Sequence, residues 1–489
     1  MSTVRRSLAL SFLTRYANLA ISFVGIVIIT RLLTPEEIGI FSVSMAIVAL
    51  AQTLRQFGLS TYLVQEKNLT LDRIRTAFGL AFVIAWGIGV VLAAGSGLLA
   101  AFYREDGMRD VLLVLAFNFL LVPIGAPALA LLQREMRFGD IAKVQIVATL
   151  AQNATAIVLV MSGMSYVSLA IGSVAGMVAT TLTLIVVRAP HILILPSLRE
   201  WRHVLHFCFP AVGAHVVGEL GVMMPDLAMG RLLGFGPVAY YSRALGLARI
   251  FGEGVLQGVW PVALSSFSEA KRKNGDVRAG YVLGTQLLTG LALPFYAVLG
   301  VLAFPVVVIL YGEQWRESVP LLQLFCVSYL ILSPWTLSGE LLYAMGKARE
   351  SLIKEIIIQG ARIALVVAAS FHSAMAVAVA QIGVGVIAAI VIQYFIVRTI
   401  GVGFRHLAVA TSRSILVAVA SMAPPVAVLT WAADDLSRWL YGFPLAIAGA
   451  GMAWLAAVHL FHHPIRAEIA RLLPSLSAAW SRHMAARRL

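Results

Sequence analysis

Apolar runs of about 20 residues follow one another along the whole sequence, separated by short polar breaks. Each is long enough to cross a ~30 Å hydrocarbon core as a helix. Fourteen can be drawn, at 8–33, 38–63, 76–101, 111–132, 141–162, 166–187, 207–230, 237–263, 280–310, 318–345, 355–371, 374–397, 413–433 and 442–462. No connection between them has the length of a soluble domain. The pattern predicts an all-α polytopic membrane protein of about 14 transmembrane helices. The first run follows Arg5 and Arg6 but is too long for a signal-peptide core and lacks a small-residue cleavage site. It reads as a retained first span.

The breaks repeat. Arg31–Ser42, RLLTPEEIGIFS, is echoed 200 residues later by Arg231–Ser242, RLLGFGPVAYYS, and both copies separate two membrane-length runs. A fainter echo pairs LLQREMRFGDIAKV after span 4 with LLYAMGKARESLIKE after span 10. Spans 1 and 7 are an even number of crossings apart and run in the same direction. The copies are therefore parallel repeats about an axis along the membrane normal. This predicts an N-lobe of spans 1–6 (1–190), a connector (191–206), a C-lobe of spans 7–12 (207–397), spans 13 and 14 (398–462) and a basic tail (463–489). In the connector, LREWRHVLHF sets Leu198, Trp201, Val204 and Leu205 against Arg199, Arg202 and His203, the pattern of a helix lying in the membrane interface.

Composition agrees: 60% of residues are hydrophobic, 12% are charged and mean hydropathy is +0.89, where a soluble domain carries about a quarter charged residues. The net charge of +14 would suit a nucleic-acid partner in a soluble protein. Here it reflects basic loops on one side of a membrane, and no nucleic acid is expected. With the N-terminus inside, 26 of the 37 Lys and Arg residues fall on the cytoplasmic side and six on the other. The positive-inside rule then puts both termini in the cytoplasm. Cys208 and Cys326 lie in or beside apolar runs, so no disulfide framework is implied.

There is no phosphate-binding loop, dinucleotide glycine pattern, metal-spaced Cys/His cluster or nucleophile elbow. Neither cofactor nor metal nor enzymatic activity is expected, and energy for transport would come from an ion gradient, the membrane potential or the substrate gradient. The pair His462 and His463 reads as interfacial. The informative residues are charges inside spans, each costing about 2.5–3.5 kcal/mol at mid-depth. Arg15 on span 1 and Arg55 on span 2 either snorkel to headgroups or, on helices lying side by side after a tight turn, form a cationic cavity open to the inside. The 200-residue offset places His215 at the depth of Arg15. Arg249 and Glu253 are spaced i, i+4 on span 8, and Arg243 lies at a depth where it could meet Glu219 of span 7. Arg362 sits mid-span on span 11 and must face protein or water. Substrate-binding candidates are therefore Arg15, Arg55, Arg243 and Arg249; candidates for a gate or coupling site are Glu219, Glu253, Arg362 and His215.

Two six-helix lobes in parallel repeat, two added helices, TRLLTPEEIGIFS after span 1 and LLQREMRFGDIAKVQ after span 4 resemble the MOP flippase superfamily. Within it the chain is most similar to the polysaccharide transport branch, the Wzx-type and WzxC-like exporters of lipopolysaccharide biosynthesis. The resemblance implies flipping of an undecaprenyl-diphosphate-linked oligosaccharide across the bacterial inner membrane by two lobes in a V that open alternately inward and outward. It also implies membrane lipids, a polysaccharide polymerase and a chain-length regulator as partners. Related lipid II flippases carry arginines on spans 1, 2 and 8, which maps by span onto Arg15, Arg55 and Arg243 or Arg249. A cation-coupled multidrug exporter of the same superfamily and an O-antigen ligase or polymerase are the competing readings. The first usually has twelve spans and relies on intramembrane carboxylates. The second would carry one large external loop.

Overall fold

The computed structural model describes residues 2–56, 62–63, 66, 70–187, 195–432 and 436–471, with side chains from Leu13 onward except at 56, 203, 205–215, 436 and 440. Among these residues every regular element is a helix. The helices are α1 (Ser2–Leu32), α2 (Pro35–Gln56), α3 (Leu71–Tyr103), α4 (Gly107–Arg134), α5 (Phe138–Met161), α6 (Val167–Val186) and α7 (Trp201–Leu232). Span 8 comprises α8 (Phe235–Phe251), a π-helical segment at Gly252–Leu256 and α9 (Gln257–Arg272). Then come α10 (Val277–Val301), α11 (Ala303–Tyr311), α12 (Ser318–Leu332), α13 (Ser338–Ala344), α14 (Ala348–Ser370), α15 (Ala374–Ile400), α16 (Phe404–Ala432) and α17 (Leu436–Leu460).

Eleven helical stretches of the described chain are long and apolar enough to cross a membrane, and the chain is a multi-pass membrane protein. The three remaining spans drawn from the sequence are helical too, for stated reasons short of that measure. Span 7 is partly outside the described side chains. Span 8 is interrupted by its π turn, and span 11 carries Lys354, Glu355 and Arg362 along α14.

The connector forms no interfacial helix of its own between Leu195 and Glu200. That stretch is extended and turned, and Trp201 begins α7 directly. It is held to the start of α3 instead: Ser197 N donates to Arg75 O (3.0 Å), and Arg73 bridges Glu200 (3.0 Å) and Glu66 (3.3 Å). Paired backbone and paired charge compete better here than a short amphipathic helix, which would expose its own orphan backbone groups.

By packing, the chain forms two compact units. The first is residues 1–242 with 310–315 and 366–377; the second is residues 243–309, 316–365 and 378–489. In the first unit α1 packs on α5, α3 on α4, α5 on α6 and α2 on α7. Small residues permit these approaches: a Cβ on Gly172 would lie 2.8 Å from Gln152 O. In the second unit α10 packs on α12 and α16, and α16 on α17. Tyr296 stacks on Tyr329 at 5.0 Å.

Candidate functional site

The first unit gathers both copies of the repeated turn at one end. Thr34 caps α2 through a reciprocal box: Thr34 N and Oγ1 donate to the Glu37 carboxylate (2.7 and 2.8 Å) and Glu37 N donates to Thr34 Oγ1 (3.4 Å). That is what T-P-E-E dictates, with Pro at the first helical position. Ser165 donates to the other Glu37 oxygen. The second copy has Gly234 at φ +88° instead.

The copies meet each other. Ser42 Oγ and Ser242 Oγ, one repeat length apart in sequence, lie 3.5 Å apart. In a parallel repeat, residues on the pseudo-two-fold axis meet their own equivalents, and this pair is placed as such residues would be. Around it, Gly39 lies under the Phe235 carbonyl, where a Cβ would come within 2.0 Å of the oxygen, and Gly230 lies against Val43. The contacts further out are reciprocal in kind. Tyr103, after α3, donates to Leu227 O of α7 (3.3 Å). Trp315, beyond α11, donates Nε1–H to Thr30 O of α1 (2.9 Å) and is fully buried. Gln314 reaches Thr30 O and Leu33 O beside it.

The candidate charges are distributed as follows. Arg15 is half-buried on α1 and Arg55 half-buried near the end of α2. The expectation that these helices lie side by side does not hold among the described residues: α1 packs on α5, whereas α2 packs on α7 and α4. Asn153 of α5, over Gly25, marks the approach. Arg55 Nε is buried with no hydrogen-bond acceptor among the described residues. Glu219 is half-buried on α7. His215 is carried by α7, and its side chain lies outside those described.

In the second unit Arg243 is half-buried, and Arg249 and Glu253 are exposed. The i, i+4 pair does not form: no ion pair joins Arg249 and Glu253 among the described residues. The chain winds as a π helix over Gly252–Leu256, so four residues no longer complete an α turn and the two side chains are rotated out of register. Gly252 and Gly254 have open space where a Cβ would stand, so packing does not explain them. Arg362 donates to Gln359 Oε1 (2.9 Å) on its own helix.

His463 is 1% exposed, which corrects its interfacial reading. Its Nε2 meets Ser414 Oγ (3.0 Å), which meets Thr289 Oγ1 (2.9 Å), and its Nδ1 accepts from Ile465 N (3.3 Å). Gly290 makes room for the ring, since a Cβ there would sit 2.4 Å from it. Its neighbour His462 takes φ +50° and is exposed. The same unit holds an apolar pocket of about 410 Å³ lined by Leu291, Phe295, Leu302, Phe443, Ile447 and Trp454, among others.

The sequence profile of the polysaccharide biosynthesis protein family matches residues 28–320. The succinoglycan biosynthesis transport protein ExoT of Rhizobium meliloti is 26% identical over 346 residues, covering 68% of this chain and 67% of that protein. The lipopolysaccharide biosynthesis protein WzxC of Escherichia coli is 23% identical over 348 residues, with the same coverage of each. Among solved structures, the lipid II flippase MurJ in an inward closed conformation superposes with a TM-score of 0.74 at 14% identity, over 94% of this chain and 99% of that one. An inward-facing multidrug resistance MATE family transporter of the MOP superfamily superposes at 0.62, with 15% identity, over 82% and 99%. These likenesses establish the fold.

Proposed function

The chain belongs to the polysaccharide biosynthesis protein family, and from that membership we propose that it is a flippase for a lipid-linked oligosaccharide. It moves an undecaprenyl-diphosphate-linked unit from the cytoplasmic to the periplasmic leaflet of a bacterial inner membrane by alternating access, for O-antigen, exopolysaccharide or capsule. The observation that carries the reading is a family match spanning both copies of the repeated turn, joined to relatives named for transport in succinoglycan and lipopolysaccharide biosynthesis. Both termini are cytoplasmic in this reading, and the end where Ser42 meets Ser242 faces the periplasm.

Arg15, Arg55, Arg243 and Arg249 bind the diphosphate, because a planar guanidinium fork matches phosphate oxygens in pairs. The buried, acceptor-free Nε of Arg55 supports this for one of them. Glu219, Glu253, Arg362 and His215 are the gate or coupling candidates. The apolar pocket of the second unit suits hydrocarbon and is assigned to the isoprenoid chain. An anionic headgroup moving outward runs down an inside-negative potential, which supplies about 2.3 kcal/mol per charge per 100 mV, so the membrane potential can drive export without nucleotide. Polysaccharide polymerase and chain-length regulator act on what it delivers.

The test is a deletion strain assayed for undecaprenyl-diphosphate oligosaccharide and for surface polymer. Lipid-linked units accumulate on the cytoplasmic side and surface polymer is lost. Unchanged polymer with increased sensitivity to cationic drugs would establish instead the multidrug reading, which the same fold permits.

A further inference from the structure

Helix α1 does not close its own C-terminal end. The last carbonyls of a helix need donors from beyond it, and the residue that follows decides where those come from. Leu33 N still bonds Ile29 O (3.0 Å). Where the second copy of the turn has Gly234 at φ +88°, the first has Thr34, whose N–H is turned forward onto Glu37 (2.7 Å). Thr34 therefore caps α2 and returns no bond to α1. The donors for α1 come instead from the break between spans 9 and 10. Trp315 Nε1–H donates to Thr30 O (2.9 Å), and the Gln314 amide reaches Thr30 O (3.2 Å) and Leu33 O (3.3 Å). In the other direction Arg31 Nε donates to Leu310 O (2.9 Å).

The segment Leu310–Trp315 has the build of a strap. Residues 243–309 before it and 316–365 after it belong to the second unit, yet it packs as part of the first. Gly312 turns the chain at φ +102°, and Trp315 N closes a 3-10 turn onto Gly312 O (3.1 Å). Gln314 and Trp315 are thus held by bonds within the strap and can move with it as one piece. The Trp315 ring is fully buried, edge-on to Tyr240 of α8 at 5.8 Å and to Tyr311 at 6.2 Å. Thr30 is also fully buried, and its Oγ1 has no hydrogen-bond partner among the described residues. An unpaired buried hydroxyl is a cost that only the docked arrangement carries, since water satisfies it once the strap withdraws. The same place both holds the strap and opposes it, which keeps the two arrangements close in free energy.

We infer that Leu310–Trp315 is a releasable strap of the first unit. Docked, it caps α1 through Gln314 and Trp315; released, it leaves the Thr30 and Leu33 carbonyls to water. In the transport cycle proposed above, on which this role rests, the docked strap holds α1 in the state closed to the periplasm. Release itself needs no substrate and is measured apart from transport.

The experiment is thiol modification of the full-length chain in nanodiscs of phosphatidylethanolamine and phosphatidylglycerol, in a Cys208→Ala, Cys326→Ala background. Thr30→Cys places a thiol under the strap, and Ala128→Cys places one equally buried in α4 of the same unit. A water-soluble maleimide reacts slowly with Thr30→Cys and not with Ala128→Cys. Trp315→Phe keeps a ring and loses the donor, and raises the Thr30→Cys rate about 5-fold, the net contribution of one hydrogen bond. Adding Gln314→Leu brings the increase to roughly tens of fold. Ala128→Cys stays unreactive throughout, which separates release from unfolding. A Thr30→Cys rate unchanged by the donor substitutions, or equal rates for the two thiols, overturns the strap. In cells the Gln314→Leu, Trp315→Phe chain exports less surface polymer; export at the wild-type level, with release seen in nanodiscs, overturns its role in the cycle. A deletion strain that keeps its surface polymer fails the flippase reading instead, whatever the thiols show.

Discussion

Replacing Gly39 with alanine probes the closure of the end where the two repeats meet. The new Cβ would lie 2.0 Å from Phe235 O, 2.5 Å from its carbonyl carbon and 2.8 Å from its Cβ, against the 3.4 Å at which ordinary contact begins. Two of these neighbours are backbone and cannot swing aside, so α2 and the start of α8 must separate by about an ångström or tilt. Overpacking of this kind costs roughly 1–3 kcal/mol. The cost falls only on the state in which the ends touch, and in an alternating cycle that multiplies the population of the open state about 5- to 150-fold. The assay is a thiol placed at Ser42 (Ser42→Cys) and modified from the periplasmic side by a membrane-impermeant maleimide, with and without Gly39→Ala. The modification rate rises with the alanine, and oxidative cross-linking between Ser42→Cys and Ser242→Cys falls. Equal rates in both backgrounds, with the protein equally abundant, would refute the reasoning that these turns separate in the working cycle.

Two further outcomes are expected. Arg55→Ala abolishes export while the protein remains inserted and abundant, losing a charge-assisted contact of about 1.5–3 kcal/mol, hence roughly 10- to 100-fold in headgroup affinity; Arg55→Lys restores part of it, keeping charge without the fork, and normal export by the alanine variant would make this residue an interface anchor. His463 is held below the usual histidine range, first by burial and then by the nearby Arg413 charge. The folded protein therefore keeps this ring neutral while the unfolded chain takes a proton. Its contribution to stability is full above about pH 6.5 and is lost as pH falls through the lowered folded value. The melting temperature of the purified protein drops toward acid pH over that window, and His463→Gln flattens the dependence.

The order of helices and the positions of most breaks were legible in the sequence because a span is a one-dimensional object. About 20 apolar residues and a polar break need no neighbour to be recognised. Azimuth was not legible in the same way. Arg15 and Arg55 sit on consecutive helices, yet α1 turns to α5 and α2 to α7 and α4, a choice made by small residues such as Gly25 and Gly230 meeting Asn153 and Val43. The Arg249–Glu253 spacing assumed an α helix where two unpacked glycines let the backbone wind wider. His463 followed an apolar span and looked interfacial because its partners, Ser414 and Thr289, lie 49 and more than 100 residues away.

One contact was nevertheless within reach of the sequence. A parallel repeat implies a two-fold axis along the membrane normal, and any residue on that axis must meet the residue one repeat length away. Of the positions shared by the two turns, Ser42 and Ser242 are identical, small and polar. Those are the properties that let two copies of one side chain lie face to face in a membrane protein: a hydroxyl both donates and accepts, so it can bond its own image, whereas two arginines or two carboxylates would repel. Arg31 and Arg231, identical as well, could not occupy the axis for that reason, and each finds another partner: Arg31 donates to Leu310 O (2.9 Å) and Arg231 lies over the Phe102 ring at 5.1 Å. Self-complementarity of the side chain, added to identity at the repeat distance, is thus the filter that turns a weak sequence echo into a specific contact across the axis.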